Sequence, residues 1–527
     1  MEQQEINPKI EGDIIFSKKT FINISKEKLL DNYEIINELA KNINYTIYKV
    51  KNKKTNEEYA CKRMPKKQKE MDIGLIPEIQ ILYHCDYPNI INLYEIYEES
   101  DYIYLIFEFC KGGELDDRII KNIEEENLYS EKEAAKIFKK IIQAIAYLHS
   151  NGICHRNLKP DNILFLSEKI DSDIKIINFS LSTIFSVGKY KNDKKLEIEE
   201  EKENKTRMNK LIGNAYFISP EMLKGNYNEK CDIWSAGIIL YFLLSGEPPF
   251  NGMNDEEIYS KIKEMKFTFP EKQWNNISID AKDLIKKMIC NENERLSAIE
   301  VLEHDWIKNC APNSKGTLSN INIHYFKKYK NMHKIKRAIY TFIALRLSDE
   351  ETKYLKRLFQ FFDVDNDGRI TLNEMKDAFI RLNIKNYENV IENIFNSIDT
   401  DKNGIIDYTE FLSASINGNL SIISKKTLKN TFLLLDKDNS GKISKKNLLN
   451  VLKLDNLNEK IVDNYIKKYD INKDGEIDYN EFLEMMDNYW NKDEKNENKE
   501  EKNDNKEEKN NNKEEINDNK EEKNDNI

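Results

Sequence analysis

The chain has 527 residues, of which 39% are hydrophobic and 33% are charged. This length and composition exclude a single small domain and predict a soluble protein with two or more domains and some disordered sequence. The net charge of −11 argues against nucleic acid as a partner, because proteins that bind phosphates usually present a basic face.

The first predicted region, residues 1–32, is a polar N-terminal extension without a readable pattern. Glu2 excludes N-myristoylation of this sequence, and no secretory signal is recognisable. Residues 33–306 alternate β-rich segments such as DYIYLIFEF with helical periodicity such as SEKEAAKIFKKIIQAIAYLHS, which is typical of a mixed α+β domain. The longest apolar run, near residues 238–244, is too short to cross a bilayer, so we expect no membrane span.

The seven cysteines of the chain are scattered, and no two of them form a CxxC pair. An odd number of cysteines without paired spacing favours reduced thiols over a disulfide framework. We therefore expect a cytoplasmic protein.

A junction, residues 307–347, follows the α+β domain. Its segment 324–346 contains seven basic residues and no acidic residue. The apolar residues of this segment recur at helical spacing: Phe326, Tyr329, Met332, Ile335, Ile339, Phe342 and Ile343. The pattern predicts a basic amphipathic helix of the kind that a calcium-opened groove binds, and the alternative is an ordinary packed linker helix.

Residues 348–487 are predicted to be helical, with four short loops that begin at Asp363, Asp399, Asp436 and Asp470. The regular separation of these loops indicates an internal repeat of helix–loop–helix units. The ring that encircles one Ca²⁺ consists of oxygen-bearing side chains at positions 1, 3 and 5, a backbone carbonyl at 7 and a glutamate at 12. A glycine at position 6 permits the sharp turn of the loop. Solvated turns are the alternative, which four such loops at regular spacing disfavour.

Three loops carry the full pattern. The predicted Ca²⁺ ligands are Asp363, Asp365, Asp367, Arg369 and Glu374 in the first loop, Asp399, Asp401, Asn403, Ile405 and Glu410 in the second, and Asp470, Asn472, Asp474, Glu476 and Glu481 in the fourth. The isoleucine at position 8 is expected to join a short strand with the neighbouring loop.

The third loop departs from the pattern at its last position. It offers Asp436, Asp438, Ser440 and Lys442, but Asn447 replaces the glutamate that would supply two oxygens. We expect it to bind Ca²⁺ weakly or only with help from its partner loop. Residues 488–527, nearly all Asn, Lys, Asp or Glu, are predicted to form a disordered tail.

Several motifs in residues 33–306 occur in the order and spacing of a protein kinase: YACK, PEIQIL, HRNLKPDNIL (155–164), NFS, ISPE, CDIWSAG and NERLSA. Followed by a basic junction and four EF-hands, they resemble the calcium-dependent protein kinases of plants and protists over residues 33 to about 487. The resemblance implies a two-lobed α+β kinase fold, with a small lobe at 33–110 and a large lobe at 111–306, and an all-α calmodulin-like domain at 348–487. The family phosphorylates proteins on serine or threonine from ATP when calcium binds.

The resemblance also assigns residues to the kinase cleft. Lys62 and Glu78 match the ion pair that positions ATP phosphates, although Gly74 and Pro77 predict a shortened helix around Glu78. Lys159 matches a lysine that contacts the γ-phosphate, and Asn162 matches a second metal ligand. Glu221 and Arg295 are expected to form a buried bridge, Asp232 to anchor the catalytic loop, and His155 and Phe179 to pack in the hydrophobic spine.

The positions that perform the chemistry differ from the family pattern. Asn157 replaces the aspartate that accepts the substrate proton, and Asn178 replaces the aspartate that holds Mg²⁺. Ala40, Asn42 and Tyr45 stand at the three glycine positions of the loop that covers the phosphates. We therefore expect ATP and Mg²⁺ to bind weakly at best, and catalysis to be impaired.

Three hypotheses about function remain open from the sequence. The chain is a calcium-switched binding or scaffold protein built on a pseudokinase, a weak but real calcium-dependent kinase, or a calcium buffer with a remnant kinase lobe. Retention of Glu221, Arg295 and Asp232 argues against the third. The expected partners are Ca²⁺, an unidentified protein partner or substrate, and the chain's own junction helix. The charged insert at 189–210 is expected to be a solvated loop or a functional element.

Overall fold

The computed structural model describes residues 17–66, 76–185, 208–209, 213–312, 326, 329–330, 332–382, 384, 387–388, 390–416, 422–452 and 459–486. Gly74, nearly all of the insert at 189–210 and the tail at 488–527 lie outside the described residues. The chain divides into two compact units between Ser424 and Lys425. The first unit therefore holds the kinase-like region, the junction and the first pair of EF-hands, so its bounds differ from those of the domains proposed from the sequence.

The small lobe is built on a six-stranded sheet with the order β1-β5-β6-β4-β3-β2. Its strands are β1 (Asn23–Ser25), β2 (Tyr33–Lys41), β3 (Thr46–Asn52), β4 (Glu58–Pro65), β5 (Leu93–Glu98) and β6 (Tyr102–Glu108). Neighbouring strands are antiparallel except β1, which pairs with β5 in parallel. Only Tyr33 of the edge strand β2 is buried, so this strand contributes little to the core.

The N-terminal extension contributes regular structure to this lobe. A 3₁₀ turn, Lys18–Phe21, precedes β1, and a short helix, α1 (Leu29–Asn32), leads into β2. Lys18 is buried, and its ammonium group donates to the carbonyl of Cys85 at 2.7 Å and to Oδ1 of Asn92 at 2.9 Å. Burial lowers the pKa of Lys18, although Asp86 opposes this effect. The small lobe thus begins well before residue 33.

The helix of the small lobe, α2 (Pro77–His84), begins at Pro77. Proline is favoured at the first position of a helix because its fixed φ suits the helix and its missing N–H would have no partner there. The described part of this helix is two turns long, and it places Glu78 in the interior.

The large lobe is mainly helical. Its helices are α3 (Leu115–Glu124), α4 (Glu131–Ser150), α5 (Pro220–Leu223), α6 (Lys230–Ser245), α7 (Asp255–Glu264), α8 (Glu271–Trp274), α9 (Ile279–Met288), α10 (Ala298–Leu302) and α11 (Asp305–Cys310). Two small antiparallel sheets pair β7 (Ile153–Cys154) with β10 (Thr183–Ile184) and β8 (Ile163–Phe165) with β9 (Ile174–Ile176). Ser130 and Glu133 form a capping box at the start of α4. Almost every residue of α6 is buried, so α6 is the central helix of this lobe.

The junction and the first pair of EF-hands complete the first unit. Their helices are α12 (Lys334–Ala344), α13 (Asp349–Phe362), α14 (Leu372–Arg381), α15 (Ile391–Ile398) and α16 (Tyr408–Ile416). Ile370 and Ile406, at position 8 of the two loops, exchange backbone hydrogen bonds of 3.0 and 2.8 Å, as the sequence predicted.

The second unit contains the other pair of EF-hands. Its helices are α17 (Lys425–Leu435), α18 (Lys445–Leu452) and α19 (Glu459–Tyr469), and residues 479–486 are also helical. Ile443 and Ile477 join the two loops by backbone hydrogen bonds of 2.8 and 3.0 Å. Among the described residues of the whole chain, no helix is both long enough and apolar enough to cross a membrane.

Candidate functional site

The predicted ion pair between Lys62 and Glu78 is formed at the base of the small lobe. Nζ of Lys62 lies 2.6 Å from one carboxylate oxygen of Glu78 and 2.8 Å from the other, and both side chains are buried. Strand β4 positions the lysine and the first turn of α2 positions the glutamate. The shortened helix therefore still delivers the carboxylate that the kinase cleft requires.

Three asparagines form a network where a kinase binds its metal ions. Nδ2 of Asn178 donates to Oδ1 of Asn162 at 3.2 Å, and Nδ2 of Asn162 donates to the carbonyl of Asn157 at 2.7 Å. The hydroxyl of Ser180 donates to Oδ1 of Asn178 at 2.7 Å. Asn178 adopts a left-handed conformation, with φ of 67°. Both oxygens that would face a metal thus already accept hydrogen bonds, and neither carries a charge.

This donor set does not fit a tightly bound Mg²⁺. Magnesium ions are usually held in kinase and ATPase sites by carboxylates together with substrate phosphates. Of the two predicted ligand positions, Asn162 carries the amide that kinases also use, but Asn178 offers a neutral amide where they have a carboxylate. Nearby, the ammonium group of Lys159 lies 3.1 Å from Oδ1 of Asp161. Lys159 is therefore paired with a carboxylate of its own loop.

The residues that support the catalytic loop are arranged as the resemblance predicted. Asp232 of α6 accepts the backbone N–H groups of His155 and Arg156, each at 2.8 Å. The buried rings of His155 and Phe179 meet edge to face with centroids 5.1 Å apart. Together these contacts hold the loop before Asn157 rigidly.

The activation segment, residues 178–221, is anchored at its end by the predicted buried bridge. Nη1 of Arg295 lies 2.5 Å from Oε1 of Glu221, and Nη2 lies 3.1 Å from Oε2. Arg295 is 1% exposed and also lies over the ring of Trp234, 5.0 Å from its centroid. The end of the segment is therefore fixed to the large lobe.

The glycine-loop positions lie at the hairpin between β2 and β3. Ala40 pairs with Ile47 in the ladder, and Asn42 and Tyr45 begin and end the connecting turn. The ring of Tyr45 covers Lys62, whose Nζ lies 4.4 Å from the ring centroid. A half-buried aromatic side chain thus occupies the space next to the phosphate-binding lysine.

The four calcium loops share one backbone arrangement. In each loop the aspartate at position 1 accepts the N–H of the glycine at position 6, at 2.8 to 3.1 Å; the pairs are Asp363 with Gly368, Asp399 with Gly404, Asp436 with Gly441 and Asp470 with Gly475. The glycines at position 6 all have positive φ, which a residue without a β-carbon adopts freely. The glutamates at position 12 of the first, second and fourth loops accept the N–H of the residue at position 2: Glu374, Glu410 and Glu481.

The donor sets of the first two loops fit a Ca²⁺ ion. Carboxylate oxygens of Asp363, Asp365 and Glu374 lie within 4.8 Å of one another, as do those of Asp399, Asp401 and Glu410. Within the described part of the chain, Oδ1 of Asp363 is buried without a hydrogen-bond partner. Burial and the neighbouring carboxylates raise the pKa of Asp363 to about 9. A divalent cation would supply the missing partner and relieve this repulsion.

The third loop is closed differently. The single amide oxygen of Asn447 accepts the N–H of Ser444 at 3.2 Å and also its hydroxyl hydrogen bond. Lys442, at position 7 of this loop, places Nζ 2.5 Å from Oδ2 of Asp474 in the fourth loop. A predicted calcium ligand of the fourth loop is therefore paired with a lysine of the third, which sequence reasoning missed.

The first pair of EF-hands contacts both lobes of the kinase-like region through residues that the sequence did not single out. Lys356 of α13 lies 2.7 Å from Oδ2 of Asp173, whose other oxygen lies 2.5 Å from Lys140. Thr409, at the start of α16, donates its N–H and its hydroxyl to Asp86 at 2.9 and 2.8 Å. These bonds link the EF-hand helices to both lobes.

The junction helix α12 packs on helix α16. Ile335 and Ile339 are fully buried, and Phe342 is buried against Phe21 of the N-terminal extension with ring centroids 5.8 Å apart. Hydrogen bonds to the hydroxyl of Ser413 add to this contact: Tyr329 at 2.9 Å and Thr341 at 3.1 Å. The apolar face predicted for the junction is therefore the buried face.

Comparisons with known proteins agree with this arrangement. The model of the protein kinase domain matches residues 37–307, and the model of the EF-hand domain pair matches residues 352–416 and 425–487. Calcium-dependent protein kinase 5 of Plasmodium falciparum is 37% identical over 475 residues, which cover 88% of this chain and 79% of the relative. Calcium-dependent protein kinase 22 of Arabidopsis thaliana is 36% identical over 496 residues, which cover 91% of this chain and 96% of the relative.

Proposed function

The chain belongs to the calcium-dependent protein kinase family, and we propose that it acts there as a calcium-switched binding or scaffold protein with impaired catalysis. The observation that carries this proposal is the hydrogen-bonded network of Asn157, Asn162 and Asn178. This network stands at the positions where phosphoryl transfer needs a proton acceptor and a metal ligand with negative charge. The side chains of Asn162 and Asn178 are neutral and hydrogen-bonded to each other, and Asn157 joins them through its backbone carbonyl while its own neutral amide cannot accept a proton as a carboxylate would.

The expected loss in the rate of phosphate transfer is large enough to support impaired catalysis. Removal of a general base costs roughly 10²–10⁴ in rate. Removal of the principal metal carboxylate costs several kcal/mol of charge stabilisation, which is about 10² or more in rate. Starting from a typical kinase turnover of about 1–100 per second, the combined loss would bring transfer near or below detection.

Calcium would control the association of this chain with another protein instead of controlling phosphorylation. We take the packing of α12 on α16 as the arrangement in which the EF-hands hold the junction helix through Ile335 and Ile339, while Phe342, the third residue predicted for this contact, also packs on Phe21 of the N-terminal extension. Without calcium, we propose that the basic segment 324–346 lies against acidic residues of the large lobe. The exchange between the two arrangements would uncover a surface for an unidentified protein partner. The scattered, unpaired cysteines favour the cytoplasm as the place of action.

Small-angle scattering of the intact chain with calcium and with a chelator tests this switch. The two profiles should differ, and Ile339→Asp with Phe342→Asp should reduce the difference because charge would be buried in an apolar contact. Ile339→Leu with Phe342→Leu is the matched control, since it keeps the contact apolar. Identical profiles for the wild-type chain, in a sample shown to bind calcium, would contradict the proposal.

An active calcium-dependent serine/threonine kinase is the second candidate. The intact pair of Lys62 with Glu78 and the packed rings of His155 and Phe179 favour it, because both features accompany an assembled kinase cleft. The similarity to calcium-dependent protein kinases of Plasmodium falciparum and Arabidopsis thaliana also favours it. The two candidates differ in one observable, which is whether phosphate is transferred to a protein.

A further inference from the structure

The turn between β2 and β3 is held closed by the side chain of Asn42. Its Oδ1 accepts the N–H of Asn44 at 2.8 Å and the N–H of Tyr45 at 2.9 Å, and the backbone N–H of Asn42 donates to the carbonyl of Tyr45 at 2.9 Å. Asparagine favours such turns because its short amide mimics the backbone. The turn therefore has one preferred shape, and Tyr45 stands at its last position.

This shape places the ring of Tyr45 over Lys62. The ammonium group lies 4.4 Å from the ring centroid and also contacts both oxygens of Glu78, at 2.6 and 2.8 Å. Lys62 is 3% exposed, so these neighbours leave it little contact with water. A cation over the face of an aromatic ring is attracted by the ring's quadrupole, more strongly when both are desolvated.

We propose that Tyr45 limits nucleotide access to the cleft, because its ring covers the buried ammonium group that a nucleotide phosphate would contact. A phosphate group would have to displace the ring and break its contact with the ammonium group. This exclusion acts without any metal ion and is therefore separate from the loss of the aspartate at position 178. It rests on the proposed function, since a cleft closed in this way suits a protein that does not turn over ATP.

The substitution Tyr45→Gly tests the inference in the full chain. ATP is titrated in the presence of EDTA and in the presence of Mg²⁺, and affinity is read by calorimetry. The glycine variant should bind ATP at least about tenfold more tightly than the wild type in EDTA, because the ring and its contact are gone. Tyr45→Phe keeps the ring and should bind like the wild type.

Two further variants make the result specific. Lys62→Ala in the Tyr45→Gly background should return the affinity to the wild-type level, because the phosphate would lose its lysine. Tyr45→Ala removes the ring without adding a glycine, and it carries the test if the glycine variant does not fold. Equal ATP affinity of the wild type and both ring-free variants would overturn the inference. So would a Tyr45→Phe variant that binds ATP as tightly as the ring-free variants do.

These outcomes are independent of phosphate transfer. A wild-type chain that transfers phosphate would contradict the proposed function, and the ratio of ATP affinities between the ring-free and wild-type chains could still be measured. Unchanged affinity in the ring-free variants would overturn the role of Tyr45 and leave the asparagine network as it is.

Discussion

Gly368 of the first calcium loop lies against the ring of Tyr147 on α4, so closely that a β-carbon on the glycine would come within 2.3 Å of Cδ2 of the tyrosine. Tyr147 is itself stacked on Tyr87, with ring centroids 4.9 Å apart. The hydroxyl of Tyr147 accepts the N–H of Asp86 at 2.8 Å. Arg369, the next residue of the loop, donates to Asn151 just after α4. The first calcium loop therefore rests on the segment that leads into the catalytic loop.

Gly368→Ala should separate this loop from α4. Gly404 in the second loop is the matched control, since both glycines have positive φ, 78° and 85°, but a β-carbon on Gly404 meets no described atom within 4 Å. Both variants incur backbone strain, and only Gly368→Ala also clashes with Tyr147. Gly368→Ala should therefore lower the free energy of unfolding by about 1–3 kcal/mol more than Gly404→Ala does. Hydrogen exchange in chelator should show faster exchange at the end of α4 for Gly368→Ala alone. Equal protection in both variants would contradict this contact.

The pairing of Lys356 and Lys140 with Asp173 should make the docking of α13 depend on charge. Burial alone would raise the pKa of Asp173, but the two ammonium groups outweigh it and hold this pKa well below its usual range. The stabilisation that the two lysines give is therefore fully present above the pKa of an unfolded aspartate, about 4. It is lost as the pH falls through the lower pKa of Asp173 in the folded protein.

Asp173→Asn should destabilise the first unit by about 3 kcal/mol or more, because two lysines, one of them buried, would lose their partner. Chemical unfolding at pH 7 measures this loss, and the difference from wild type should shrink below about pH 4. The control Asp171→Asn affects an exposed pair with Lys353 and should change stability little. Equal effects of the two substitutions would refute the assigned role of Asp173.

The sequence predicted the elements that follow from local chemistry. Loop spacing predicted the bridge between Ile370 and Ile406, and helical periodicity predicted the buried face of α12 at Ile335 and Ile339. It did not predict that the first EF-hand pair contacts the large lobe, because Asp173 and Lys356 are ordinary surface-type residues 183 positions apart. Contacts of this kind depend on how helices and loops distant in the chain pack together, which a local sequence pattern does not predict.

The N-terminal extension shows the same limit. Residues 23–25 add a strand to the sheet because β5 offers a free edge, and three residues are too few for a readable alternation. In the cleft, residue types alone predicted the loss of charge at Asn178. The position of the Tyr45 ring over Lys62 was not predicted, since it depends on the turn that Asn42 closes.

Asn447→Glu should tighten calcium binding by the third loop. The longer, charged side chain restores a bidentate ligand, and the glutamates of the other loops show that this position reaches the start of the loop. Asn447→Gln is the control, because it adds length without charge. Calorimetry of the intact chain should show a stronger site for the glutamate variant only. Unchanged binding would mean that another feature, such as Lys442, limits the loop.

Asn178→Asp should make nucleotide binding depend on Mg²⁺. The substitution places a carboxylate where the amide oxygen now accepts from Ser180, so the ratio of ATP affinity with Mg²⁺ to that with EDTA should rise about tenfold or more. Asn157→Asp restores the proton acceptor and not the metal ligand, so it should leave this ratio unchanged. A wild-type chain that already binds ATP tightly and only with Mg²⁺ would show that neutral ligands suffice.

The central claim is that this member of the family responds to calcium without transferring phosphate. The most direct measurement is transfer of labelled phosphate from ATP to a generic serine/threonine peptide, with Mg²⁺ or Mn²⁺, in calcium and in chelator, beside the Lys62→Ala variant. We predict that the wild-type signal equals that of Lys62→Ala in every condition. Calcium-stimulated transfer that Lys62→Ala abolishes would contradict the claim and identify an active kinase.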